Sequence, residues 1–437
     1  MAVTPPTVPR PPTGDDPHAA GDGGGVSLRG RLALRAGAAV AGLSRACGHG
    51  GNMIGGRVAL MLHAASLAEL AGGRRVALVS GTNGKTTTTA MLAAALRTLG
   101  PVASNSSGAN MLDGLTAAMA ADRAPLVAGE VDEWYLPDAV VQTRPVAVAL
   151  LNLSRDQLDR SGEIRQLADR LRSVARGGDS TVVVANRDDP YVVFVASAFP
   201  RVVWVAAGVA GTLDRTSCPA CGHRLDGTPN GWRCSRCALT APAAHRWVTR
   251  GRSSMLVTDD GRTVALAVGV PGSVQLGNAA MAVSTAEVLG VPLRPAAEAV
   301  AGVRQAAGRY AVVRVGQHRV LPVLAKNPAG WSAVLDVVAG RDDPLVIVLN
   351  AAQADGRDTS WLYDVPFDQL AGRRVIAAGD RAADLGVRLG YANVAHDTVT
   401  DPLQALRRLP PGAVTMICDY TSFLGTQRQL ATGDASC

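Results

Sequence analysis

The sequence predicts an α/β protein: a doubly wound, mostly parallel sheet with an inserted four-cysteine zinc ribbon, followed by a smaller α/β domain. Three observations lead there. Short apolar runs alternate with helix-compatible stretches, the pattern of strand–helix–strand crossovers. Polar residues cluster just past the ends of those runs, where ligands bind in such sheets. Two Cys-x-x-Cys knuckles interrupt the alternation midway. At 437 residues the chain exceeds what one hydrophobic core supports, so two or three domains are expected.

Composition narrows the class. The chain is 47% hydrophobic and 18% charged, as in folded proteins. A net charge of +7 and a pI near 9.3 favour an anionic partner: a nucleotide, a nucleic acid or an acidic membrane surface. Aromatic residues, at 4%, are too few for base-stacking platforms, and no basic run stands out, which argues against nucleic acid. No apolar run approaches the roughly 20 residues of a membrane span, and the N-terminus lacks a signal-peptide layout. The expectation is a cytoplasmic protein whose membrane contact, if any, is peripheral.

Residues 1–27 are rich in Pro, Gly and Asp and read as a disordered tail. An Ala/Leu/Arg pattern predicts a helix over Leu28–Ala46, and a second helix is expected over Arg57–Ala71. Val76 to Val79 then reads as a buried strand. It enters Gly81-Thr82-Asn83-Gly84-Lys85-Thr86-Thr87, with an Ala/Leu-rich helix over Met91–Leu99. Such a strand–turn–helix aims backbone N–H groups and a helix N-terminus at one point, where phosphate is stabilised. Lys85, read on an exposed loop, adds charge for the terminal phosphates, and the Thr86 hydroxyl is placed for Mg²⁺. The general phosphate-loop pattern wants glycine where Val79 stands.

Of 43 basic residues only Lys85 and Lys326 are lysine. Lysine kept so sparingly marks places that need a compact ammonium, which makes Lys326 a site candidate. The segment Val102–Met111 reads as polar and turn-rich. Strands are expected at Leu126–Ala128, Val146–Leu151, Val182–Ala185 and Val202–Ala206. Glu130 ends the first of these and is the leading Mg²⁺ carboxylate. Asp132 and Glu133 are its substitutes, or else a solvated turn.

Cys218, Cys221, Cys234 and Cys237 supply four soft thiolates at a spacing suited to tetrahedral Zn²⁺, with no open position for substrate. The ribbon, at about 212–243, is read as an insertion and His223 and His245 as bystanders. A β-hairpin follows around Asp259–Arg262. Pro271–Asn278 then opens an Ala-rich helix, with Asn278 offering an amide to adenine or capping the helix start. The second half shows strands at Ala311–Val315, Arg319–Leu324, Leu345–Leu349, Val375–Ala378 and Val414–Asp419. The division is thus an ATP-binding domain at 28–305 and a C-terminal α/β domain at 306–437.

Gly81–Thr87, the Pro271-Gly272…Asn278 helix start, and Gly308-Arg309 followed by Lys326-Asn327-Pro328 together resemble the Mur ligase superfamily. The Cys₄ insertion and Ala354-Asp355-Gly356-Arg357-Asp358-Thr359-Ser360-Trp361 resemble its MurT-type branch. That resemblance implies ATP and Mg²⁺ as cofactors, beside the structural Zn²⁺. It implies activation of the D-glutamate α-carboxylate of lipid II as an acyl phosphate, displaced by ammonia from a GatD-type glutaminase partner. It also implies that Asp355 or Asp358 completes the partner's catalytic triad; the sequence does not separate the two. Three features depart from what the resemblance implies for the amino-acid-adding members: Gln157 stands in place of histidine, Gln275 in place of asparagine, and no lysine between Lys85 and Lys326 is there to be carbamylated and hold a second Mg²⁺. The competing readings are a ligase that adds an amino acid to a small acid and a zinc-ribbon, nucleic-acid-binding ATPase.

Overall fold

A computed structural model describes residues 25–47, 53–105, 108–155, 164–177, 180–208, 216–251, 253–304, 311–352 and 357–425. Two large sheets organise them. In the first, strands β1 (Arg75–Ser80), β2 (Val102–Ser104), β3 (Leu126–Glu130), β4 (Ala147–Leu150), β5 (Val182–Asn186) and β6 (Val202–Ala206) are all parallel, in the order β6-β5-β4-β1-β3-β2. The central strands are buried along both faces, which is why they read as continuous apolar runs. Successive residues still serve opposite faces: Ala77 and Val79 pack in one core, Val76 and Leu78 in the other.

The chain leaves this sheet after β6 and forms a separate hairpin, β7 (Leu225–Thr228) and β8 (Gly231–Cys234). It then returns through β9 (Arg246–Thr249), which pairs parallel with β6. Strands β10 (Met255–Thr258) and β11 (Thr263–Ala265) extend that edge antiparallel, around the expected turn. The ribbon is therefore an insertion within the first sheet's connectivity. The second sheet comprises β12 (Val313–Val315), β13 (His318–Leu324), β14 (Leu345–Val348), β15 (Val375–Ala378), β16 (His396–Thr398) and β17 (Gly412–Cys418). Its order is β12-β13-β17-β14-β15-β16, antiparallel only at β12.

The first two helices are α1 (Leu28–Ala46), as expected, and α2 (Ile54–Leu62). The single helix expected over Arg57–Ala71 is broken. His63 turns extended at φ −151°, and Ser66 donates its hydroxyl to the His63 carbonyl at 2.7 Å, opening a separate α3 (Ser66–Ala71). The helix after the phosphate loop, α4, spans Lys85–Leu96 and so begins six residues before the expected Met91. The polar stretch from Val102 contains β2, too short at three residues to show a strand's pattern. It is followed by α5 (Leu112–Ala121). Asn278 is the fifth residue of the helix Val274–Val288, one turn inside it, and does not cap it. Residues 305–310, which include Gly308-Arg309 and the expected domain boundary, lie outside the described residues, as do Asp156, Gln157 and Asp159.

Candidate active site

The carboxyl ends of β1, β3 and β4 meet at one point, because adjacent parallel strands finish at the same sheet edge. From β1 the chain turns through Gly81 (φ +142°) and Gly84 (φ +85°) into α4. A Cβ on Gly81 would lie 3.0 Å from the Asn152 backbone, and one on Gly84 2.9 Å from the Asn278 amide, so both positions need glycine for backbone geometry and for room. Asn152, just past β4, fixes the loop. Its carbonyl accepts from Thr82 N (2.9 Å), its side-chain oxygen accepts from Asn83 N (2.9 Å), and its side-chain amide donates to Asn83 O (2.9 Å). Ser154 N donates to the Thr82 hydroxyl at 3.0 Å. No side chain caps α4 and no acid lies in its first turn, so its leading N–H groups are left available to an anion.

Lys85 is not exposed as expected; it is buried, and its ammonium donates to Glu133 at 2.8 Å. Burial alone would lower the Lys85 pKa, but Glu133, Asp132 and Glu130 together hold it above its usual value. Burial likewise acts to raise Glu133, yet Lys85 wins and keeps that carboxyl below the ordinary range. Glu133 is thus no solvated turn. Burial and the charge of Glu133 push Asp132 up. The Thr86 hydroxyl donates to Glu130 Oε1 at 3.2 Å, which places the two expected Mg²⁺ ligands side by side. Two hard oxygens beside an uncapped helix N-terminus fit a cation that bridges phosphates. Asn105 braces Glu130 by accepting from its N–H (2.6 Å) and donating to its carbonyl (2.8 Å).

The C-terminal half reaches into this edge. Asn83 donates to Asn327 Oδ1 at 3.1 Å across 244 positions of sequence, and Asn327 in turn caps the helix Pro328–Ala339 through Gly330 N (2.8 Å). The neighbouring Lys326 is close enough for its charge to act on both Asp132 and Glu133. Arg155 pairs with Asp364 at 2.9 Å, and Ser273 donates to Asp336 at 2.7 Å, two further ties between the halves. Asn278 is buried against Gln275, to which it donates at 2.9 Å. The structure therefore gathers Gly81, Thr82, Asn83, Gly84, Lys85, Thr86, Thr87, Glu130, Asn278 and Lys326 around one edge. Sequence reasoning gave no role to Asn152, Ser154 and Asn327, although each lies just past the end of a strand.

Asp358 has no hydrogen bond or ion pair to this edge among the described residues. It is exposed, and Ser360 donates to it through its backbone N–H (2.8 Å) and hydroxyl (2.9 Å), which holds its carboxyl below the usual range. Asp355 lies outside the described residues.

In the ribbon, the sulfurs of Cys218, Cys221, Cys234 and Cys237 all lie within 4.8 Å of one another. A tetrahedral S₄ zinc site needs S···S separations of about 3.8 Å. The N–H groups of Cys237 (3.3 Å) and Arg236 (3.4 Å) point at the Cys234 sulfur and bring its thiol down to about 6. Burial pushes Cys218 up to about 12, so a thiolate there needs a cation beside it. The donor set fits Zn²⁺.

Comparison with known proteins agrees with this geometry. Residues 79–207 match the Mur ligase middle domain and residues 324–423 the MurT ligase C-terminal domain. The chain is 28% identical over 420 residues to subunit MurT of the glutamine-hydrolysing lipid II isoglutaminyl synthase of Streptococcus pneumoniae strain R6, covering 87% of this chain and 93% of that one. To the subunit of the same name from Staphylococcus aureus strain COL it is 27% identical over 374 residues, covering 80% and 85%. MurF from Acinetobacter baumannii superposes with a TM-score of 0.65 at 17% identity, over 87% of this chain and 81% of that one, a likeness of fold alone.

Proposed function

Because the chain belongs to the Mur ligase superfamily and carries a MurT-type C-terminal domain, we propose that it is an ATP-dependent synthetase subunit that amidates the D-glutamate α-carboxylate of the lipid II stem peptide. The observation that carries this reading is the buried Lys85–Glu133 pair at an uncapped helix N-terminus, with Lys326 brought to it from the other domain. Phosphoryl transfer to a carboxylate asks for a phosphate cradle, cations and alignment, and for no protein nucleophile. Thr86 and Glu130 would hold Mg²⁺, which neutralises phosphate charge when bound. A nucleotide phosphate arriving at α4 competes with Glu133 for Lys85, so the ammonium passes from one anion to another. Lys326 adds the second positive charge where charge spreads over the transferring group. A carboxylate oxygen attacks the terminal phosphorus and ADP leaves. Ammonia then attacks the acyl carbon, phosphate leaves with the C–O bond pair, and the nitrogen loses a proton to give the carboxamide.

The ammonia would come from a GatD-type glutaminase, and the exposed, ionised Asp358 suits a contact across an interface. An aspartate that orients the partner's histidine stabilises the imidazolium formed as the cysteine gives up its proton. Asp358→Asn and Asp355→Asn each keep shape and remove charge. In the variant that matters, glutamine-driven amidation by the complex falls by roughly 10³-fold or more, while ammonium-driven amidation and complex formation persist. Full glutamine-driven activity in both variants would refute the shared triad. Loss of the ammonium reaction would move the aspartate into the synthetase site.

A further inference from the structure

Helix α1 is built inside out for a helix packed on a soluble domain. Its buried stripe is made of Gly30, Ala33, Gly37 and Ala41, small residues that let α1 approach α2 closely; a Cβ on Gly37 would lie 2.2 Å from the Gly55 carbonyl. Leu28, Leu32 and Leu43 instead face solvent, on the side opposite that stripe at helical spacing. Met61 and Leu62 are also exposed at the end of α2, and these five residues range from 58% to 80% exposed. Arg31 and Arg35 flank the leucine stripe on one side and Arg29 on the other, with Arg45 at the helix end, and all four are exposed. None of the four forms an ion pair among the described residues, and residues 25–62 contain no Asp or Glu. The only arginine of α2, Arg57, bonds Asp113 of α5 at 3.2 Å. Asn110, just before α5, accepts from Asp132 N at 2.8 Å, so this hairpin is braced against the reacting edge.

We propose that the outer face of α1 and α2 docks on an anionic lipid bilayer, with leucines and Met61 entering the headgroup region and the arginines meeting lipid phosphates. An apolar stripe rimmed by arginines and without acids is complementary to such a surface in both hydrophobicity and charge. A protein partner or a second copy would have to supply acidic groups around an apolar groove. The purpose of docking, delivery of the site to a lipid-linked substrate, rests on the function proposed above; the docking itself does not.

Co-sedimentation of the full chain with vesicles tests it without ATP or lipid II, so a failure here is separable from a failure of the amidation reading. Vesicles of phosphatidylglycerol and phosphatidylethanolamine should bind the chain, and phosphatidylcholine vesicles at least about tenfold more weakly. The pairs Arg31→Glu with Arg35→Glu, and Leu32→Glu with Leu43→Glu, lie on the solvent face, and their thermal melting should match the parent. Each should lower anionic-vesicle binding about tenfold or more, and raised salt should weaken the parent. The proposal is overturned if the parent ignores anionic vesicles or if neither pair changes binding. It is also overturned if the parent is a dimer that the leucine variants dissociate, or if binding appears only after residues 1–24 are removed.

Discussion

Lys85→Ala should reduce ATP-dependent amidation by about 10³-fold or more, because it removes positive charge from where it develops in phosphoryl transfer. It should also destabilise the protein, which an exposed loop lysine would not do. Lys85 and Glu133 are both buried and 2.8 Å apart, so losing the ammonium strands a carboxylate in the interior. Breaking such a pair from one side costs roughly 3–5 kcal/mol. With Lys85 gone, burial dominates Glu133, whose carboxyl rises and takes up a proton. Lys85→Ala with Glu133→Gln should therefore recover much of the lost stability and none of the activity. Chemical denaturation and an ADP-release assay on the parent and the two variants read both effects. Near-parent turnover in Lys85→Ala would refute the phosphate-loop assignment.

Cys218→Ser or Cys234→Ser should lose bound zinc and unfold the ribbon. Strands β7 and β8 have four residues each and, among the described residues, add to their own pairing only single bridges, Ser217 with Arg224 and Arg233 with Thr240, too little to hold a hairpin in water. Trp232 packs inward and donates to the Arg187 carbonyl at 3.1 Å, and Arg187 and Arg165 donate to the Asn230 and Ala220 carbonyls from the surface. A bound metal would supply the rest of the folding free energy. Zinc content near one equivalent in the parent and below about one-tenth in the variants is expected. So are loss of solubility, protease cleavage within 216–240, and activity that falls only as folded protein falls. Well-folded parent protein without zinc would refute the ribbon's metal.

The sequence carried much of this because its signals were local. The strand–glycine–lysine–threonine run, the cysteine knuckles and the apolar strands depend on near neighbours, and each lies where expected. What it hid depends on distance along the chain. Asn83 and Asn327 meet across 244 positions, and nothing in either segment announces the other. Glu133 looked like a turn residue because the ammonium it pairs with, Lys85, is 48 positions earlier. Asn152 gave a polar strand end but not its three bonds to the loop. The break at His63 escaped because the apolar pattern runs on through it, while Ser66 closes a turn by side-chain bonding. The Ala/Leu/Arg pattern predicted α1 but not that Leu28, Leu32 and Leu43 face solvent, since periodicity tells that one face differs, not which face is inside.

The central claim is most directly tested by supplying the purified chain with ATP, Mg²⁺, ammonium and lipid II, and following the stem peptide by mass spectrometry together with ADP. The account predicts conversion of the D-glutamate α-carboxylate to a carboxamide, one ADP for each, dependent on Lys85 and independent of any added amino acid. A product that gains the mass of an amino acid, or lipid II left unchanged while the chain is folded and binds ATP, would contradict it.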